Sequence, residues 1–169
     1  MYTYKKSERL GSVRLKKLLF AKGEHLFVYP FKVLFFVDGP GYPGLSWPGK
    51  RPLPPAAVFS YPAKCLVAVP GRLFKKAVER NRIRRLVKEA YRKNKSPFYT
   101  FLQGRGSHCL LAFIYVSKKT LPYSAIEEAV TAALKEVQNR ISNRGAEHSG
   151  AGGQGSGDQP YENDTQNHK

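Results

Sequence analysis

The chain of 169 residues carries 29 Lys and Arg against 12 Asp and Glu, a net charge of +17 and a pI near 10.0. With 41% hydrophobic and 12% aromatic residues, its central part can bury a core of a single domain. No apolar run approaches the roughly 20 residues needed to cross a bilayer, and MYTYKKSERL lacks an apolar signal core, so a soluble, cytoplasmic protein with no membrane partner is expected.

The charge is unevenly placed. Residues 145–169 hold Glu147, Asp158, Glu162 and Asp164 with only Lys169 as a base, which leaves 28 bases and eight acids in residues 1–144. A folded unit this basic is expected to meet nucleic acid or an anionic surface, and a histone-like or ribosomal role fits the charge equally well. Cys65 and Cys109 lie in separate apolar runs without metal-ligand spacing and read as reduced, buried thiols.

In chain order, Ser12 caps a helix over VRLKKLLFAK that Gly23 ends, with Leu15, Leu18 and Leu19 as its core stripe. FKVLFFV, residues 31–37, reads as a strand. In residues 38–55, ten of eighteen are Gly or Pro, which excludes a regular element and marks an insertion (38–56). AVFSY and KCLVAV read as strands either side of Pro62. The chain turns at Pro70-Gly71 into a helix over 77–94, expected to stop between Asn94 and Pro97. SPFYTFLQGRGSH holds at most a short helical turn. CLLAFIYV, 109–116, is a central strand, and after Pro122 the spacing of Ile126, Ala129, Val130, Ala133, Leu134 and Val137 predicts a helix with one apolar face. From about residue 143 the chain is Gly-, Ser-, Asn- and Gln-rich and is expected to be a disordered tail, 143–169, after a domain over 1–142. The order predicts an α+β, two-layer sandwich with helices packed on a small central sheet.

The segment AVERNRIRRLVKEAYR, residues 77–92, concentrates six cations and two glutamates in sixteen residues. At 100° per residue, Ile83, Leu86, Val87, Ala90 and Tyr91 share one face, and Asn81, Arg84, Arg85, Lys88 and Arg92 share the opposite one. A solvated helix face normally mixes signs, whereas only Glu79 and Glu89 are acidic here, so the row favours a polyanion. Arginine's planar fork can hold phosphate bidentately, which suits folded RNA. Asn81 either holds the helix start or touches RNA.

This segment resembles the RNR motif of the protein component of bacterial ribonuclease P: Ala77-Val78, Arg80-Asn81-Arg82, Arg84-Arg85, Glu89-Ala90 and Arg92 are in register. The resemblance runs from about Ser7 to Ile141 and takes in Leu15, Phe20 to Gly23 and the strand CLLAFIYV; the insertion and tail lie outside it. It implies a ribosomal protein S5 domain 2-like fold with a left-handed βαβ crossover through the basic helix. It implies two partners, ribonuclease P RNA and precursor tRNA, with no obligate protein partner. The implied reaction is endonucleolytic hydrolysis that removes the 5′ leader and leaves a 5′ phosphate, catalysed by the RNA subunit with Mg2+ held by RNA and substrate. RNA-binding residues are then expected at Arg72, Lys75, Lys76, Arg80, Asn81, Arg82, Arg84, Arg85, Lys88 and Arg92. Three features depart from the family: Pro70-Gly71-Arg72 replaces Ser-Lys-Lys, Lys88 replaces an arginine, and Lys16 replaces an aromatic.

A cleft lined by the first helix and the sheet is expected to hold the single-stranded leader, with Lys16, Phe20, Lys32, Phe35 and Phe36 as its residues. Phe35 and Phe36 point to opposite faces, so at most one lines it, and core packing is the alternative for each aromatic. Protein-based catalysis is not expected. Glu8, Glu24, Asp38, Glu79, Glu89, Glu127, Glu128 and Glu136 form no D-x-D cluster, Glu89 is placed to pair with Arg85, Arg92 or Lys93, and His25 and His108 have no partner nearby in sequence. A non-enzymatic RNA-binding or ribosomal protein of similar fold is the alternative function.

Overall fold

The structure, a computed structural model, describes residues 3–42, 44–46 and 49–149. Its elements in chain order are α1 (Val13–Lys22), β1 (Glu24–Val28), β2 (Phe31–Asp38), α2 (Pro55–Val58), β3 (Ala63–Ala68), α3 (Ala77–Gly104), β4 (His108–Tyr115) and α4 (Tyr123–Ser149). The four strands form one sheet in the order β1-β2-β4-β3. β1–β2 and β2–β4 are antiparallel, while β3 runs parallel to β4 with α3 as the connection between them. This is the expected α+β sandwich.

Ser12 and Gly23 act as their chemistry predicts. Ser12 Oγ accepts from the Leu15 N–H at 3.4 Å, and the Gly23 N–H closes the last turn of α1 on the Leu19 carbonyl at 2.8 Å. A Cβ at Gly23 would lie 2.3 Å from Leu19 O and 3.2 Å from Phe35 O, so the close approach of α1 to the sheet requires glycine.

Strand alternation divides the core in two. Phe31, Val33, Phe35 and Val37 of β2, with Cys65, Leu111, Phe113 and Tyr115, face α3 and α4. Leu34, Phe36, Leu110 and Ala112 face α1, whose Leu15, Leu18 and Leu19 cover them. Cys65 and Cys109 are buried and unpaired, as expected, and burial pushes both thiols well up.

Four expectations are corrected. The basic helix does not stop before Pro97 but runs on to Gly104. Proline inside a helix costs about 3 kcal/mol, and burial of Phe98 and Leu102, at roughly 1.5–3 kcal/mol each, offsets it. AVFSY is not a strand; Pro55 starts the single turn α2, where its missing N–H is harmless. β1 was not foreseen, because EHLFV alternates over only five residues. α4 continues through residues 143–149 to Ser149, so the boundary at 142/143 falls inside a helix. The disorder expected for residues 150–169 lies outside the described residues.

The extension of α3 past Pro97 has a second anchor. The Lys95 ammonium, 5% exposed, pairs with the carboxylate of Glu8, 1% exposed, and also donates to Thr3 O at 2.6 Å. Glu8 further accepts from Tyr99 Oη at 2.8 Å and from the Lys5 N–H at 2.6 Å. Burial raises the Glu8 carboxyl, but Lys95, the Lys5 N–H and Tyr99 together outweigh it and hold it below the ordinary value of 4.5. The folded-state value is depressed, so this pair contributes stability above the unfolded-state value and loses it as pH falls through the folded one. Glu8→Gln leaves a buried ammonium uncompensated and should destabilise the protein by about 3–5 kcal/mol in urea unfolding at neutral pH. The gap between variant and wild type should narrow in acid below pH 4.5; a gap that stays constant from neutral pH into acid contradicts the ion-pair account.

Candidate nucleic-acid interface

α3 separates its faces as the sequence pattern predicts. Ile83, Val87, Ala90 and Tyr91 are wholly buried, and half-buried Leu86 packs on the same cluster. Asn81, Arg82 and Arg85 are exposed, and Arg84, Lys88 and Arg92 are half-buried. Arg72, Lys75 and Lys76, in the turn before the helix, are also exposed. Pro70-Gly71 makes that turn, closed by the Leu73 N–H on Pro70 O at 3.1 Å, so Arg72 is presented from a bend and not from a strand end.

Within the cation row the side chains have different tasks. Arg80 Nη1 donates to Phe74 O at 2.8 Å and Lys75 O at 2.7 Å. Lys76, the N-cap, supplies no capping bond of its own. Arg80 therefore pins the entry loop, and with it Phe74, whose ring packs 6.0 Å from that of Tyr115. Asn81 Oδ1 accepts from Arg84 Nη1 at 3.1 Å, a third role beside the two expected for it: it orients a neighbouring cation. Arg92 is gripped by Glu89 through Nε at 2.8 Å and Nη2 at 2.6 Å, the pairing anticipated for that glutamate. Burial, then the nearby charges of Arg9 and Arg84, hold the Lys88 ammonium below its ordinary value. Arg82 and Arg85 are left as the most outward arginines of the motif.

The second expected site is only partly assembled. Phe35, 2% exposed, is core on the α3 side, and Phe36, 6% exposed, is core on the α1 side. Neither lines a cleft, because both faces of β2 are covered at those positions. Lys16 is half-buried and Phe20 is 52% exposed, one turn apart on the same side of α1. Lys32 is exposed, and the register shows why. Phe27 of β1, Lys32 of β2, Ile114 of β4 and Ala68 of β3 stand side by side across the sheet on the face that carries α1. The next rows, through Leu34 and Phe36, lie under α1 and the insertion, but this one does not: Phe27 is 66% exposed and Ile114 and Ala68 are half-buried. Sequence reasoning missed Phe27 along with β1; the inward Leu26 beside the outward Phe27 is the signal that could have found it.

Several carboxylates of the folded region are committed to structural pairs. Glu24 meets Arg144 at 2.5 Å, Glu136 meets Arg140 at 3.3 Å, and Glu127 accepts from Asn94 and Tyr123 at 3.1 and 3.2 Å. Among the described residues no three His, Cys, Asp or Glu converge as a metal site. His25 is exposed, and the ring of His108 stacks on Phe59 at 4.8 Å.

A helix that joins the parallel strands β3 and β4 and carries a row of cations opposite its buried face is the arrangement the sequence motif implied. The sequence profile of the family Ribonuclease P matches residues 4–138. The chain belongs to the ribonuclease P protein family. It is thus the protein component of an endoribonuclease that processes tRNA, and its partner is a ribonuclease P RNA. The ribonuclease P protein components of Porphyromonas gingivalis and Chlorobaculum tepidum are similar. The first is 29% identical over 80% of this chain and 87% of its own length, the second 33% over 62% and 68%. The RNase P protein of Thermotoga maritima shares the fold with a TM-score of 0.52 at 22% identity, over 76% of this chain and 96% of that one. That of Staphylococcus aureus does so with a TM-score of 0.52 at 16% identity, over 78% and 96%.

The division of labour within this ribonuclease P protein's motif can be measured without RNA. Arg80→Ala removes two charge-assisted bonds to loop carbonyls and should lower stability by about 1–2 kcal/mol in thermal unfolding, whereas Arg85→Ala should leave it unchanged. Equal stability of the two variants would show that Arg80 does not hold the loop.

Proposed function

We propose that this protein docks on the ribonuclease P RNA through the outward cations of α3 and its entry turn, and that the row Phe27–Lys32–Ile114–Ala68 holds the 5′ leader of precursor tRNA. Arg82, Arg84, Arg85 and Lys88, with Arg72, Lys75 and Lys76, meet phosphates; Arg80 and Asn81 keep them in place, and Arg92 reaches RNA from its pair with Glu89. The observation that carries the second half is the open row itself, with Phe27 and Lys32 exposed where the next row on that face is buried at Leu34 and Ala112. Phe27, with Phe20 on the last turn of α1, offers flat faces to unpaired bases, and Lys32 and Lys16 offer charge to the phosphates between them.

Only precursor tRNA has a leader, so gripping it favours substrate over product. The hydrolysis that releases the leader and leaves a 5′ phosphate belongs to the RNA subunit, which with the substrate holds Mg2+. The donor set of the protein supports this division, since Glu8, Glu24, Glu89 and Glu136 are used in ion pairs and Glu127 in hydrogen bonds to Asn94 and Tyr123.

Reconstitution with the cognate ribonuclease P RNA tests both halves. Adding the protein should restore leader removal at low magnesium, and no gain there would reject the assignment. Phe27→Ala should weaken precursor binding by about tenfold, the scale of one stacked base, with mature tRNA binding unchanged. An equal loss for precursor and mature tRNA would mean that the row does not hold the leader.

A further inference from the structure

Arg9 lies outside both surfaces described so far, yet the fold carries it to the flank of the basic helix. It pairs with Cys65 in a parallel bridge along the outer edge of β3, and the following Leu10 N–H donates to Cys65 O at 3.0 Å. Its guanidinium sits 5.6 Å from the centre of the Tyr4 ring, and that ring packs edge-on against Tyr91 of α3 at 5.8 Å. Tyr91 follows Lys88 by one helical turn, and Lys88 follows Arg84 by another. The stack thus brings Arg9, exposed on the surface, alongside the half-buried Arg84 and Lys88.

The two carboxylates next to this cluster in sequence are committed elsewhere. Glu8 turns inward to Lys95, and Glu89 turns along the helix to Arg92. Among the described residues no ion pair joins an acid to any of these three cations. The electrostatic consequence is visible at Lys88, whose ammonium is disfavoured by burial first and then by Arg9 and by Arg84. Such a cluster is unfavourable by itself and becomes favourable around one anion. Its backbone is also held in advance: Glu8, the residue before Arg9, is fixed by Lys95, Tyr99 and the Lys5 N–H.

We infer that the RNA-binding surface continues off α3 onto the N-terminal segment, where Arg9, Arg84 and Lys88 converge on one phosphodiester group. The site rests on the ribonuclease P RNA reading above and extends it to a residue outside the arginine motif. Arg9 stacks on Tyr4 and presents its guanidinium edge, while Lys88 supplies the charge from the helix side. The N-terminal segment is thereby a part of the RNA-docking surface as well as a cover for the edge of β3.

The test is a salt series of binding between the full chain and the cognate ribonuclease P RNA, with Arg9→Ala, Arg9→Lys, Lys88→Ala, the double variant Arg9→Ala/Lys88→Ala and Arg85→Ala. Arg9→Ala should bind about tenfold more weakly at moderate salt, with the salt slope reduced by about one ion, and Arg9→Lys should recover part of the loss. Because Arg9 and Lys88 share a phosphate, the double variant should lose less than the product of the two single losses. Thermal unfolding of each variant keeps the comparison to folded protein, and Arg9→Lys retains the stacking stem if Arg9→Ala does not fold. Unchanged affinity and slope for Arg9→Ala, with Arg85→Ala weakened, overturns this site alone. Unchanged binding for both overturns the RNA-docking reading itself. A fully multiplicative loss in the double variant overturns the shared phosphate.

Discussion

A helix with six cations in sixteen residues repels itself, and the rest of the structure follows from how that repulsion is contained. Like charges one turn apart cost a few tenths of a kcal/mol each. Burying Ile83, Val87 and Tyr91 contributes roughly 1.5–3 kcal/mol per side chain, so packing on the sheet wins by a wide margin. The cation row is rigid because its back face is core. A side chain that binds RNA from such a surface loses little conformational freedom on binding, whereas one on an isolated helix would first have to order the helix. The motif's side chains also hold one another's scaffolding: Arg80 closes the entry loop and Asn81 aims Arg84, so its residue types serve geometry as much as charge.

The second half of α3 does different work. Beyond Tyr91 the helix carries no further exposed arginine row; it meets α4 through Asn94 and Glu127 and the N-terminal segment through Lys95 and Glu8. A buried ion pair is weak evidence for net stability, since apolar residues of equal volume often serve as well. Its value here is registration. Lys95 can satisfy its charge only where Glu8 lies, which fixes where the N-terminal segment crosses β3 and therefore where Arg9 emerges beside α3.

Much of this was legible in the sequence because its pattern is local. The two faces of the basic helix and the apolar face of α4 follow from spacings of three and four, and the buried strands β2 and β4 from continuous apolar runs. What was not legible depends on partners far away in the chain. Pro97 argues locally for a helix end, and only the burial of Phe98 and Leu102 and the pairing of Lys95 with a residue 87 positions earlier overrule it. Alternation correctly put Phe35 and Phe36 on opposite faces, but it could not say that both faces are covered there. Phe27 stands out only once the register sets it beside Lys32, both exposed on the face that carries α1.

The insertion explains why that row ends where it does. Read from composition, residues 38–56 are a Gly- and Pro-rich excursion, yet Leu45 is 1% exposed and Phe59, just past them, stacks on His108 at 4.8 Å. The Leu53 N–H returns to Leu45 O at 3.2 Å and folds the excursion back on itself. Together with α1 it roofs the row through Phe36 and Leu110, at the opposite end of the sheet from Phe27. The roof carries a cost at its root: Asp38 Oδ2 and His108 Nδ1 are buried without hydrogen-bond partners among the described residues, and burial pushes the Asp38 carboxyl up against the opposing effect of His108. An unsatisfied buried polar group costs about 1–3 kcal/mol. The apolar contacts of Leu45 and Phe59 are of the size needed to offset it. The length of sheet left open is therefore set by the reach of α1 and of this insertion, and not by the strands, which continue beneath both.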